Sequence, residues 1–148
     1  MYYELVFSMD ELENGDVVWL VSVPAFPEIV TSGDTQEEAA RAGLMAIEEA
    51  MAARIADGQT FDIPVKETSG KGRWVQLPLL TAVKAALHLT CLDRSVTRAE
   101  LARLLGWHRE QVDRLFRLDH KSQLDQLEAA YKALNLHLSF DFPLPKAA

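Results

Sequence analysis

Residues Thr97–Arg117 read TRAELARLLGWHREQVDRLFR, and this run predicts two short helices joined by a tight turn. Thr97 and Glu100 form a capping box, in which the hydroxyl accepts from an early helical amide and the carboxylate reaches back. Gly106 ends the first helix, because glycine adopts the left-handed conformation without a steric cost. The second helix is expected from about His108 to Leu118. Its buried side carries Val112, Leu115 and Phe116.

Four positions in this run meet the needs of two helices that cross steeply. Ala102 is small where the backbones approach, Gly106 makes the turn, and apolar residues lock the second helix at Val112 and Leu115. This pattern resembles the helix-turn-helix of the Cro/repressor superfamily, whose second helix enters the major groove of DNA. The resemblance implies an all-α DNA-binding domain.

The same resemblance assigns candidate DNA contacts to polar residues on and beside the second helix. Arginine can donate two hydrogen bonds to guanine, and glutamate can accept one from cytosine. The residues that map to the major groove are Arg109, Glu110 and Arg114, with Gln111 beside them. The residues expected at the phosphate backbone are Arg98, His108, Lys121 and Ser122. The alternative is that these side chains are only the solvated face of a small helical bundle.

Charge divides the chain into two unlike halves. Residues 1–74 carry 14 acidic against 5 basic side chains, whereas residues 75–148 carry 8 acidic against 10 basic ones. The net charges of −9 and +2 add to the −7 of the whole chain. Such asymmetry favours two domains with opposite partners, a cationic one and a phosphate-bearing one. Two arbitrary solvated surfaces are the alternative.

The acidic half predicts a small sheet followed by a helix. Two β-rich runs, Tyr2–Phe7 and Val17–Val23, flank Asn14-Gly15-Asp16 and should form an antiparallel hairpin. Two prolines end the second run, and Ile29–Ser32 can form a short third strand. Thr35 and Glu38 form another capping box, which opens a helix that Gly58 ends. A last strand is expected at Arg73–Leu77, after a linker-like run at 68–72.

Nearly the whole chain resembles the HicB antitoxin family in the variant that carries a helix-turn-helix. The N-terminal part of the resemblance lies in Pro24-Ala25-Phe26-Pro27-Glu28, Thr31, Gly33-Asp34-Thr35 and Glu38-Ala39. The C-terminal part lies in Val75-Gln76-Leu77-Pro78, Leu101–Gly106 and Lys121–Glu128.

The resemblance to HicB antitoxins implies an α+β protein with two domains. Residues 1–77 would form a partial ribonuclease-H-like βββαβ domain without nuclease activity, and residues 78–148 the DNA-binding domain with a short C-terminal strand. The first would neutralise a HicA-type messenger-RNA interferase, a small basic RNA-binding protein. The second would bind operator double-stranded DNA and repress the antitoxin's own operon.

Enzyme, metal and membrane functions find little support in the sequence. The four histidines are 20, 12 and 17 residues apart, which matches no compact ligand spacing, and no phosphate-binding glycine loop occurs. Cys91 is the only cysteine and lies on a predicted apolar stripe with Leu80, Val83 and Leu87. We therefore expect no enzyme activity, no cofactor, no metal and no membrane partner, and a cytoplasmic location.

The tail Leu136–Phe142 alternates apolar and polar residues and predicts a strand. Pairing of this strand with a second copy, and the need of a palindromic operator for two reading helices, favour a homo-dimer or tetramer. An intramolecular edge strand is the alternative for the tail.

Two other functions remain open at this stage. One is a stand-alone helix-turn-helix transcription regulator whose N-terminal domain senses a ligand or dimerises. The other is a degenerate nuclease, which would need a divalent metal in the acidic half.

Overall fold

A computed structural model describes residues 1–66 and 71–145; residues 68–70 of the linker-like run lie outside this part. The chain is α+β, with an antiparallel sheet first and helices after it. The N-terminal part, called the sheet layer below, consists of four strands and the helix that packs on them. These elements are β1 (Tyr2–Glu11), β2 (Val17–Val23), β3 (Phe26–Gly33), α1 (Gln36–Ala56) and β4 (Arg73–Gln76). The helical bundle contains α2 (Leu79–Asp93), α3 (Arg98–Leu105), α4 (Arg109–Phe116) and α5 (Leu124–Ala133).

The first two strands form the predicted hairpin, and their antiparallel register runs from Val6 opposite Ser22 to Glu11 opposite Val17. Gly15 makes the turn at a φ of 85°, a conformation that glycine adopts without a steric cost. β4 pairs with the other edge of β1, which gives the strand order β3-β2-β1-β4. The predicted hairpin and last strand are confirmed.

The third strand is longer than predicted, because it begins at Phe26 rather than Ile29. Pro27 was expected to keep the chain out of the ladder. It lies instead in β3 at the edge of the sheet, where an amide that cannot donate to a neighbour costs nothing. The bulge at Ser22 and Val23 re-registers β2 against this first part of β3.

Helix α1 covers one face of the sheet through small and aliphatic residues. Thr35 caps its first turn by accepting from the Glu38 amide, as predicted. Close packing against the strands depends on Gly43, since a Cβ there would lie 2.8 Å from a Val21 methyl and 3.1 Å from Leu5. The remaining buried residues of the helix are Ala39, Ala40, Ile47, Met51 and Ile55.

A run of rings joins the sheet layer to the helical bundle. Phe61 lies between Phe26 of β3, at a centroid distance of 6.3 Å, and His88 of α2, at 6.1 Å. His88 also meets the Phe116 ring edge at 6.4 Å and donates from Nε2 to the Gln59 carbonyl at 2.8 Å. Burial lowers the pKa of His88 below its usual value. The core is therefore continuous from the sheet to α4.

The C-terminal tail does not form the predicted strand. Residues 136–145 have no regular secondary structure, although Leu136, Leu138 and Phe140 pack against the core while the residues between them are exposed. The alternation is therefore real, but no strand within residues 1–66 and 71–145 pairs with the tail. No helix in the described ranges is long and apolar enough to cross a membrane.

We expect Phe61→Ala to destabilise the whole molecule by about 3 kcal/mol, because it empties the contact between the two layers. Urea unfolding followed by circular dichroism measures the change. Met45→Ala is the control, since Met45 of α1 is 62% exposed and its replacement should cost less than about 0.5 kcal/mol. Equal midpoints for the two variants would show that the ring contacts do not join the layers energetically.

Candidate nucleic-acid interface

One face of α4 is polar and exposed while the other lies in the core. The buried side carries Val112, Leu115 and Phe116, as predicted. The exposed side brings together five of the residues that the sequence predicts as DNA contacts, which line one open depression: His108, Arg109, Glu110, Gln111 and Arg114. This part of the predicted site is contiguous on a single helix.

Hydrogen bonds at both ends of α3 fix this helix and the turn that leads to α4. The predicted capping box of α3 is present, and the Glu100 carboxylate accepts from the Thr97 amide at 2.8 Å, which lowers the pKa of Glu100. Gly106 is left-handed at a φ of 66°, and the next amide, from Trp107, donates to the carbonyl of Ala102. These contacts set the direction in which α4 leaves α3.

The first turn of α4 holds one of the candidate side chains. The Gln111 carboxamide oxygen accepts from the backbone amide of His108 at 2.9 Å. The same side chain therefore caps the helix and lies on its exposed face.

The other end of α4 is held by Lys84, which sequence reasoning missed. This side chain of α2 is fully buried, and its ammonium donates to the carbonyls of Arg114 at 3.1 Å, Arg117 at 2.6 Å and His120 at 2.5 Å. A cation at a helix C-terminus is favoured by the carbonyls that lack helical partners. Lys84 therefore ends α4 and shapes the loop that follows it.

The environment of Lys84 shifts its proton equilibrium. Burial lowers its pKa from 10.5 to about 8, while Asp119 opposes the shift and Arg117 adds to it. The sequence did hold a signal, namely one lysine beside an apolar stripe of α2. Its three acceptors come from residues 30 to 36 positions away, and local periodicity does not show such pairing.

Two predicted phosphate contacts have their donors engaged inside the protein. Arg98 donates to Asp113 at 3.3 Å and to the Ile55 carbonyl of α1 at 3.1 Å. The Ser122 hydroxyl is buried and donates to the Arg114 carbonyl at 3.3 Å. Lys121, by contrast, is exposed.

Cys91 is buried in α2, as the sequence predicts, and burial raises the pKa of its thiol to about 11. A thiol that keeps its proton is a poor nucleophile and a poor metal ligand. Within residues 1–66 and 71–145, no group of three or more histidine, cysteine, aspartate or glutamate side chains is placed to hold a metal ion.

Comparison with known proteins assigns the chain to a family. A family model described as the HicB-like antitoxin of bacterial toxin-antitoxin systems matches residues 2–86. The chain belongs to the HicB-like antitoxin family. Its members are regulatory proteins rather than enzymes, and this HicB-like protein is an antitoxin of a toxin-antitoxin system.

Curated relatives of this HicB-like antitoxin extend the similarity beyond the sheet layer. Antitoxin HicB 2 of Photorhabdus laumondii is 34% identical over 128 residues, which cover 86% of this chain and 90% of that protein. Antitoxin HicB of Pseudomonas fluorescens is 35% identical over 128 residues, at 86% and 87% coverage. Antitoxin HicB of Escherichia coli K12 is 31% identical over 121 residues, at 82% and 87%. The similarity therefore continues into the helical bundle.

We expect Lys84→Met to destabilise the antitoxin by about 2–3 kcal/mol, since three buried carbonyls lose their charged donor. Chemical unfolding at pH 7 measures this change. Lys132→Met is the matched control, because Lys132 is exposed on α5 and its replacement should change stability by less than about 0.5 kcal/mol. Equal stability of the two variants would mean that the Lys84 contacts do not hold α4.

The stability difference between the unsubstituted protein and Lys84→Met should also depend on pH. The pKa of Lys84 is about 8 in the folded chain and about 10.4 in an unfolded one. Between these two pKa values, Lys84 is protonated to a larger extent in the unfolded chain than in the folded one. The free energy of unfolding therefore increases as the pH rises. The stability difference between the unsubstituted protein and Lys84→Met should widen from pH 8 to 10, by at most about 1.4 kcal/mol per pH unit. A constant difference over that range would contradict the lowered pKa.

Proposed function

We propose that this antitoxin acts through two domains. Residues 1–77 form a partial ribonuclease-H-like domain that binds and neutralises a HicA-type toxin. Residues 78–148 form a helix-turn-helix domain that binds operator DNA and represses the antitoxin's own operon. Both activities belong in the cytoplasm, where messenger RNA and the operator are found.

Charge supports the assignment of toxin binding to the first domain. Residues 1–74 carry a net charge of −9, which attracts a small basic RNA-binding protein and can cover its RNA-binding surface. The exposed acidic side chains include Glu11 and Glu13 near the hairpin turn and Glu38 and Glu49 on α1. Binding through such a surface weakens as salt rises.

The exposed face of α4 is the single observation that carries the proposal of DNA binding. Arg109 and Arg114 are exposed on this face and can donate to guanine, and Glu110 can accept from cytosine. The Gln111 carboxamide nitrogen can also donate to a base edge. The apolar side of α4 is buried against α2 and α3, so this polar face is the one that can enter a groove.

The four residues predicted to contact phosphate differ in how far their side chains are exposed. Lys121 is exposed before α5 and can neutralise a phosphate, and His108 is exposed at the start of α4. Arg98 and Ser122 were predicted in the same role, and their side-chain donors face protein carbonyls or Asp113. We therefore assign the phosphate contacts to Lys121 and His108.

A homo-dimer or tetramer completes the proposal. A single reading helix covers one half-site, and paired helices read half-sites about one helical turn apart. The tail, with Phe142 70% and Leu144 82% exposed, offers an apolar segment to a second copy.

Toxin neutralisation is tested by co-expression with the toxin from the neighbouring gene. The fragment 1–77 retains all four strands and α1, so we expect it to restore growth. The full chain carrying Arg109→Ala and Arg114→Ala should also restore growth, because neither residue lies in the toxin-binding domain. Growth arrest that persists although the fragment is soluble and folded by circular dichroism would assign toxin binding elsewhere.

Operator reading is tested by titrating a duplex from the region upstream of the gene, and a scrambled duplex of the same length, at several salt concentrations. Arg109→Ala or Arg114→Ala should cost about 1–3 kcal/mol on the upstream duplex and relax the preference at one base position per half-site. Lys121→Ala should weaken both duplexes equally and lower the salt slope by about one unit. An unchanged preference in the Arg109→Ala, Arg114→Ala double variant would show that α4 does not read DNA.

A further inference from the structure

One carboxylate oxygen of α4 accepts hydrogen bonds from two arginines beside the candidate interface. Asp113 Oδ1 accepts from Arg109 Nε at 3.1 Å and from Arg98 Nη1 at 3.3 Å. Arg109 and Asp113 are one turn apart on α4, whereas Arg98 begins α3. Asp113 therefore ties an exposed side chain of α4 to a neighbouring helix.

The second arginine of this pair is anchored on its other side. Arg98 donates through Nη2 to the Ile55 carbonyl in the last turn of α1, at 3.1 Å. Its guanidinium also lies 4.8 Å from the centroid of the buried Phe116 ring, at a distance where the cation and the ring attract each other. Three contacts thus hold Arg98 in one conformation, and Arg98 in turn holds the Asp113 carboxylate.

The contact with Asp113 leaves the end of the Arg109 side chain free. Among residues 1–66 and 71–145, the hydrogen bond that Arg109 donates comes from its Nε, and the side chain is 58% exposed. The two terminal nitrogens can therefore donate together to O6 and N7 of one guanine. A side chain that is already oriented loses less conformational freedom on binding than a free one.

The Asp113 charge also acts on DNA of any sequence. A carboxylate on this face repels phosphate, and the repulsion is the same for every duplex. Asp113 thus lowers binding to every duplex by the same factor through its charge, and it raises the preference for the operator by orienting a sequence-reading side chain.

We propose that Asp113 is a positioning residue for operator reading, and that Arg98 acts through Asp113 rather than on the DNA backbone. This inference rests on the proposed reading role of Arg109. Because Arg98 is anchored on the end of α1, the position of the reading side chain is set partly from the domain that we propose binds the toxin.

A double-mutant cycle tests the inference on the full-length protein. Asp113→Ala, Arg98→Ala and the double variant are titrated with the upstream and scrambled duplexes. We expect each single variant to lower the preference for the upstream duplex roughly tenfold and the double variant to lower it no further, because contacting residues in one network are not additive. Asp113→Ala should bind the scrambled duplex as tightly as the unsubstituted protein, or more tightly.

Asp119→Asn is the control, since it removes the same charge from an exposed residue, which pairs with Arg117 just after α4. It should change binding to both duplexes by the same factor. If Asp113→Ala melts below the assay temperature, Asp113→Asn replaces it, because it keeps the volume and one acceptor oxygen; the expected fall in preference is then about threefold.

Three results would overturn this inference or its basis. Preserved preference in both Asp113 variants, alongside lost preference in Arg109→Ala, would remove Asp113 as a positioning residue and leave the proposed function intact. The effects of Arg98→Ala and Asp113→Ala could instead be additive, with Arg98→Ala weakening binding to both duplexes equally and lowering the salt slope by about one unit. That result would make Arg98 a phosphate contact. Preserved preference in the Arg109→Ala, Arg114→Ala double variant would instead contradict the proposed reading of DNA by α4, on which this inference rests.

Discussion

The ammonium of Lys84 is the contact on which the placement of α4 depends most. α4 has only eight residues, and an isolated helix of that length is unstable in water. Its last carbonyls would lie buried without donors unless another element supplied them. Lys84 supplies three donors from a fully buried position on α2. The three hydrogen bonds that Lys84 donates to the end of α4 and to the loop before α5 thus offset the free-energy cost of removing its charge from water.

Contacts from the sheet layer hold α4 as well. Phe116 touches His88, which stacks on Phe61, which packs on Phe26 of β3. Beside these rings, the buried Thr81 of α2 donates to Glu48 of α1 at 2.6 Å. α4 is therefore packed against a core that is continuous with the sheet. In the proposed function, the domain that meets the toxin and the helix that meets DNA therefore share one packed core.

Local chemistry made much of this fold predictable. The Thr35 cap, the capping box at Thr97 and the left-handed Gly106 are set by residues within four positions of each other, and the structure contains them. At Thr35 only half of the predicted box forms, because the Glu38 carboxylate accepts from the Asp34 amide instead. The βββαβ order and the apolar side of α4 follow from periodicity for the same reason. The early start of β3 was missed because Pro27 is harmless only at a sheet edge, and strand order is not a local property.

At the site and in the tail, sequence-based prediction was limited by contacts between residues that are far apart in the sequence. Arg98 was predicted at a phosphate from its offset in a helix-turn-helix pattern, yet its partners are Ile55 in α1 and Asp113 in α4. Lys84 has the same kind of partners, distant in sequence. The tail alternates as a strand does, but a strand also needs a partner, and none of the strands that the structure describes pairs with residues 136–145. An acidic protein that binds DNA gains little from overall attraction, so operator preference has to come from a few side chains held in place before the encounter.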